Sequence, residues 1–231
     1  MSQAADFPRR DSDAQPGLGA VAARYGTPSR AESALQIATS IGLFAAFCAA
    51  MYWSLHVSYL LTLLLAVPTA GFVVRTFIVQ HDCGHGAFFK SRRANDLVGR
   101  LCSVVTFTPY ANWRRQHNNH HGNWNNLDRR ESGADIYSAC LTVEEYRALS
   151  PWRRFAYRFV RNPIVAQLVI PPLVFLFLYR LPFDTPKAWG RERRSVYWTD
   201  LAILGVLGGL AFLVGVKPVI MVQLPIIMLA S

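Results

Sequence analysis

The sequence predicts an all-α membrane protein, with two transmembrane helical hairpins under a cytoplasmic helical cap that carries histidine boxes. Three observations lead there. Of 231 residues, 52% are hydrophobic and only 16% charged, against about a quarter charged in soluble domains. The net charge is nonetheless +10, so apolar and basic residues must occupy separate blocks. Five of the six histidines fall between positions 81 and 121. This composition excludes a disordered or collagen-like chain, and no nucleic-acid partner is expected.

Residues 1–32 mix Pro, Gly, Ser, Asp and Arg without periodicity and are expected to form a flexible tail. They contain no apolar core of signal-peptide length. Residues 33–231 are expected to form one membrane domain. Residues 33–53 carry no charge, and as a helix of about 30 Å they match the hydrocarbon thickness of a bilayer. A short link with His56 leads to a second apolar run over 57–80, interrupted by Arg75 alone, which can snorkel to the headgroups. That helix should leave the lipid near His81.

Residues 81–161 are polar and basic, with helices expected around 113–121 and 142–160. The apolar run 162–179 contains Pro171-Pro172, and proline inside a helix removes a hydrogen bond and kinks or breaks it. Basic residues return over 181–200, followed by a second hairpin of 199–216 with 218 onward. The sequence stops inside that last apolar run, so the chain is expected to be a fragment or a truncated gene product. Cys48, Cys83, Cys102 and Cys140 form no CxxC pair and read as small apolar residues in a reducing setting. Lys and Arg collect on the cytoplasmic side of short loops. With 22 of the 24 basic residues in the tail, in 90–161 and in 180–194, all three blocks should be cytoplasmic. Segment 162–179 should then be half-inserted or interfacial.

The histidines form two groups, His81-Asp82-Cys83-Gly84-His85 and His117-Asn118-Asn119-His120-His121. The i, i+4 spacing puts His81 with His85, and His117 with His121, on one helix face, while His120 is turned about 100° from its neighbour. One metal could not easily use all five nitrogens, but two could. Imidazole binds Zn, Cu, Fe and Ni alike, so the residues alone do not name the ion. Compared with the zinc motif HExxH, Asp82 replaces the general-base Glu and Gly84 weakens the helix. His56 reads as a surface or hydrogen-bonded residue.

The stretches HDCGHGAFF at 81–89, WRRQHNNHH at 113–121, NNLDRR at 125–130 and LTVEEY at 141–146 resemble the membrane fatty acid desaturases, in particular bacterial acyl-lipid desaturases. The resemblance runs from about residue 33 to the end. It implies a di-iron, O2-dependent oxidoreductase of lipid metabolism that desaturates fatty acyl chains of membrane lipids. It also implies four membrane-spanning helices, boxes on the cytoplasmic face of a bacterial inner membrane, and a ferredoxin- or cytochrome-type electron donor. His81, His85, His117, His120 and His121 match two of the family's boxes, as catalytic residues and ligands of two Fe ions. The family's third HxxHH box has no counterpart in this sequence.

Asp82 and Asn118 or Asn119 are candidates to fix the ring tautomers by hydrogen bonds. The pairs Arg92-Arg93, Arg114-Arg115, Arg129-Arg130 and Arg153-Arg154 read as solvated, topology-setting charges that could also meet lipid phosphates or an acidic electron donor. Trp113, Trp124 and Trp152 read as interfacial anchors. Two alternatives use the same residues: a membrane hydroxylase or ketolase of a carotenoid or alkane, and a non-enzymatic membrane metal- or haem-binding subunit.

Overall fold

The structure, a computed structural model, describes residues 26–123, 126–128, 140–183 and 185–231. Residues 1–25 of the expected tail, Trp124, Asn125 and the pair Arg129-Arg130 lie outside the described residues. All regular structure among the described residues is helical. Helix α1 (Arg30–Ser54) starts where the Ser29 hydroxyl accepts the Glu32 backbone N–H and passes through a π turn at Ala38–Gly42. Helix α2 (Tyr59–His85) runs past the expected lipid exit and keeps both His81 and His85 in the helix, ending at Gly86 with φ of 74°. Glycine tolerates that left-handed conformation without strain.

Helices α1, α2 and α8 (Gly190–Val214) are each long and apolar enough to cross a membrane. Helix α9 (Val216–Ala230), at 15 residues, is shorter than the roughly 20 needed for a full crossing. The break between α8 and α9 falls at Gly215, with φ of 90°, and not at Lys217-Pro218 as the sequence suggested. Pro218 sits in the first turn of α9, where a helix has no internal use for its N–H.

Helix α6 (Pro151–Val160) and the irregular helix α7 (Val165–Arg180) are bent by 61° at the break between them. The doublet Pro171-Pro172 shapes α7: a π segment, Val165–Val169, comes before it and a 3-10 turn, Leu178–Arg180, ends the helix. Two missing N–H donors leave the ladder to shift register on either side. A short helix α5 (Val143–Ala148) precedes α6, closed by a capping box between Thr142 and Glu145.

Helix α3 (Arg92–Thr106), which adds to the helices expected from the sequence, turns back along α2. Its buried face is Asn95, Gly99, Cys102, Ser103 and Thr106, while Leu97 and Leu101 are 60% and 58% exposed. The interior it meets combines an apolar cluster of Val79, Cys83, Phe88, Cys102 and Tyr110 with hydrogen-bonded polar groups. Gln80 Nε2 donates to the Thr108 carbonyl (3.1 Å) and Gln80 Oε1 accepts from the Thr106 hydroxyl (2.6 Å). The Ser103 hydroxyl accepts the Tyr110 N–H at 3.1 Å, which seats the start of helix α4 (Tyr110–Asn123).

The closest approach in this packing is at Gly99. A Cβ there would lie 2.3 Å from the Tyr110 ring, which is 1% exposed and is held by its hydroxyl donating to the Cys83 carbonyl at 2.8 Å. Overpacking of this kind costs about 1–3 kcal/mol or more. Gly99→Ala should therefore lower the thermal unfolding midpoint in detergent. Gly71→Ala, at a helical site with nothing within 4 Å, should leave it unchanged or raise it slightly.

Candidate metal centre

Two helix ends build the histidine cluster. The C-terminal turn of α2 brings His81 and His85, and α4 lies across it with His117 and His121 one and two turns beyond Trp113. Gly84, expected to weaken the helix, stays inside α2 and is where the two helices meet: a Cβ there would lie 2.9 Å from Trp113 Cζ3. Trp113 is buried and not an interfacial anchor. Its ring packs edge-on against Phe77 at 5.3 Å and stacks on His117 at 4.6 Å and 16°. Trp152, in contrast, is exposed.

One ring nitrogen from each of His81, His85, His117 and His121 falls within 4.8 Å of the other three. His85 Nε2 lies 3.2 Å from both His81 Nε2 and His117 Nε2, and His121 Nε2 lies 3.0 Å from His117 Nε2. Nitrogens placed about 2.0–2.1 Å from one ion would be separated by roughly 2.9–3.4 Å in tetrahedral or octahedral order. Hydrogen bonding alone satisfies this arrangement poorly. A neutral imidazole carries one N–H, yet the Nε2 atoms of His85 and His117 each face two others. The donor set and its spacing thus fit a borderline metal ion bound by imidazole.

His120 is not one of the four. Its ring stacks parallel to that of His117, 6.2 Å away, and lies 5.8 Å from that of His121. Asp82 Oδ1 is 3.1 Å from His81 Nδ1. A carboxylate there accepts from Nδ1–H and leaves the Nε2 lone pair directed at the cluster, which fixes both tautomer and orientation. Asn118 is exposed and, among the described residues, makes no hydrogen bond to the four histidines. Asn119 instead accepts from Asn123 Nδ2, through both its carbonyl and its side-chain oxygen.

Sequence reasoning missed the support beneath the cluster. Asp96 on α3 accepts from Arg114 Nη1 at 2.5 Å on one oxygen and from Arg191 Nη2 at 3.0 Å on the other. Burial pushes this carboxyl up, but Arg114 first and Arg191 next outweigh it and hold Asp96 below the usual carboxylate range. Arg115 lies 3.7 Å over the Trp189 ring and pairs with Glu192 at 3.3 Å. Arg114 is therefore a structural contact and not a solvated charge, whereas Arg115 makes its contacts with its side chain still exposed. The signal available in the sequence was the i, i+3, i+4 spacing of Tyr110, Trp113 and Arg114, aromatics and a cation on one side of α4.

The profile of the fatty acid desaturase family matches residues 54–231. A fatty acid desaturase from Bacillus subtilis is 39% identical over 209 residues, covering 90% of this chain and 58% of that protein. An sn-1 oleoyl-lipid 12-desaturase from Picosynechococcus sp. is 28% identical over 180 residues, covering 77% of this chain and 46% of the relative. An sn-1 acyl-lipid omega-3 desaturase (ferredoxin) from Synechocystis sp. is 46% identical over 56 residues, which are 24% of this chain and 16% of that protein. The chain thus spans about half the length of the fuller matches. No solved structure matches it.

The packed cluster sets a proton affinity that can be measured. Burial, followed by the facing rings of His81, His121, His85 and His120, pulls His117 down to about 4 from the usual 6.5 or so. In the metal-free protein its ring should stay neutral at pH 5–6 and titrate near pH 4 by NMR of labelled histidine. The unfolded chain binds this proton already near 6.5, so the site's contribution to stability should fall as pH drops from about 6.5 toward 4. A His117 midpoint near 6.5 would mean that the four rings do not converge in solution.

Proposed function

We propose that this chain, which belongs to the fatty acid desaturase family, carries the iron-binding part of an O2-dependent acyl-lipid desaturase. The observation that carries the reading is the convergence of four imidazole nitrogens within 4.8 Å at the end of an apolar helix. Iron with O2 supplies an oxidant strong enough to remove hydrogen from an unactivated methylene, chemistry that side chains alone do not provide. His81, His85, His117 and His121 would hold one ion, and His120, which is not among the four, would be a ligand of a second.

The other residues do the protein's share. Asp82 keeps His81 in the tautomer that offers its Nε2 lone pair. Trp113 fixes the plane of His117 by stacking, and Gly84 lets that stack form. Phe77, edge-on to Trp113, also lines an apolar cavity of about 180 Å3 with Val73, Val105, Phe107 and Ile226. That cavity is two aromatic rings from the metal ligands and supports an acyl chain as the substrate. Two of the three named relatives are acyl- or oleoyl-lipid desaturases, and one of these is described with ferredoxin, which supports a lipid substrate and a ferredoxin-type donor here. A haem-binding role gains no support, because nitrogens 3.0–3.2 Å apart leave no plane between them for a macrocycle.

For topology, we read the histidine face as cytoplasmic, with α1–α2 and α8–α9 as hairpins and the bent pair α6–α7 as a segment that enters and returns. Positive-inside sorting supports this, as does the exposed row of stacked rings on α6: Trp152, Phe155 and Phe159.

Two experiments test these readings. The whole protein as its gene encodes it, expressed in air with ferredoxin and ferredoxin reductase, should add double bonds to membrane acyl chains and purify with iron. Alanine at His81, His85, His117 or His121 should abolish product and lower iron, Asp82→Asn should cost roughly 10–100-fold, and His56→Ala should change neither. Iron binding with unaltered lipids, or hydroxylated ones, would overturn the desaturase assignment. Separately, with Cys140 replaced, a cysteine at Lys187 should be labelled only from the cytoplasmic side and one at His56 only from the other. Labelling of position 187 from outside would mean that α6–α7 crosses the membrane.

A further inference from the structure

We propose that the groove between α3 and α8 binds one anionic phospholipid, with Arg100 and Arg194 on the phosphate and an acyl chain in the apolar cleft below. The groove has a volume of about 450 Å3; α3 lines it with Leu97, Arg100 and Leu101, and α8 with Arg191, Arg194 and Trp198. Pockets of this size suit small ligands. Asp96 pairs with Arg191, and from that contact α8 runs on into its apolar stretch beside Leu101 and Val104 of α3, so the groove has a basic end and an apolar end. Val104 lines its lower part and also lines a second, apolar cleft of about 350 Å3 with Ala49, Ile203 and Leu207. The outline matches an amphiphile.

Charge decides the head group. The acidic side chains around the groove already have partners: Asp96 has Arg114 and Arg191, Glu192 has Arg115, and Asp200 has Arg180. Among the described residues Arg100 and Arg194 have no acidic partner, and both are exposed. Two guanidinium groups without an acidic partner among the described residues, Arg100 on α3 and Arg194 in the first turns of the membrane-length helix α8, form a phosphate site of the kind basic pockets between helices provide. The position also separates a lipid from a free anion. Trp198 is 67% exposed, beside Leu97 at 60% and Leu101 at 58%, and an aromatic ring at that level belongs at the headgroup boundary. A soluble anion would leave this apolar wall bare, whereas a phospholipid covers it. The groove shares no lining residue with the cavity at Phe77, so the two sites take separate occupants.

The inference rests on the membrane placement of α8 and not on the metal or the reaction, so the test uses no turnover. The whole protein, purified in a non-ionic detergent, is equilibrated with equal amounts of phosphatidylglycerol and phosphatidylcholine, and retained lipid is counted by native mass spectrometry. Wild type should keep one phosphatidylglycerol in clear preference to phosphatidylcholine. Each basic residue near an anionic lipid is worth roughly fivefold in affinity, so the double variant R100Q/R194Q should retain phosphatidylglycerol roughly 25-fold more weakly. Both arginines are exposed, so helicity by circular dichroism should not change. Ala202→Trp fills the apolar part with every charge intact and should also expel the lipid. Equal retention of the two lipids by wild type, unchanged retention by either variant, or displacement by glycerol 3-phosphate at phosphatidylglycerol concentrations would each overturn the site.

Discussion

How closely α4 can lie against the end of α2 governs everything at the histidine cluster. Two aromatic rings three residues apart on α4 settle it, each seated in a glycine notch: Tyr110 over Gly99 of α3 and Trp113 over Gly84 of α2. Neither helix could come this near if those positions carried a Cβ. The Tyr110 hydroxyl then donates to the Cys83 carbonyl in the last turn of α2, which also accepts the Gly86 N–H, so the ring is pinned to the end of that helix. Once both rings are seated, the helical period places His117 and His121 opposite His81 and His85. The metal geometry follows from packing between glycine and aromatic rings, well before any ion is considered.

The lipid setting explains why that packing uses small and polar residues. Lipid tails are as apolar as leucine, so burying leucine between membrane helices gains little, and close contact with hydrogen bonding must hold them. Helix α3 shows the inversion: Asn95, Gly99, Ser103 and Thr106 turn inward while Leu97 and Leu101 turn outward. Thr62, Thr69, Thr76 and Gln80 are fully buried on α2, each with a hydrogen bond. The Thr69 and Thr76 hydroxyls bond back to carbonyls of α2 itself, while Thr62 to Ser54 and Gln80 to Thr106 and Thr108 reach other segments and orient α2 about its own axis, which a uniformly apolar helix could not do.

The sequence makes some of this plain and hides the rest for the same reason. The helices over 33–53 and 57–80 stand out because an uncharged run of that length has few other uses. The two histidine pairs stand out because i, i+4 spacing survives any tertiary arrangement. The apolar stripe of α3, Leu97, Val98, Leu101, Val104 and Val105, has helical spacing, but its direction is hidden, because Leu97 and Leu101 turn outward while Asn95, Gly99 and Ser103 turn inward. The roles of Gly84, Gly99 and Trp113 are hidden because each depends on what a second helix brings, and a glycine in a helical pattern reads as weakness until its neighbour is known. Arg114 and Arg115 read as surface charge because their partners, Asp96 and Glu192, lie 18 and 77 positions away.

Those two ion pairs have an electrostatic consequence for the site. Neutral imidazoles add no charge, and Asp82 is the carboxylate in contact with the four, so a cation held there would be compensated only in part. Arg114 and Arg115 sit on the same helix as His117, and at such range two free guanidinium groups would oppose a metal ion by an amount that grows as the dielectric falls. Asp96 and Glu192 offset part of that field. Asp96 does so while standing between Arg114 on the histidine helix and Arg191 in the groove, so its charge is shared between two neighbourhoods. A single carboxylate thereby keeps the cluster fit for a cation on one side while leaving the unpaired Arg100 and Arg194 to an anion on the other.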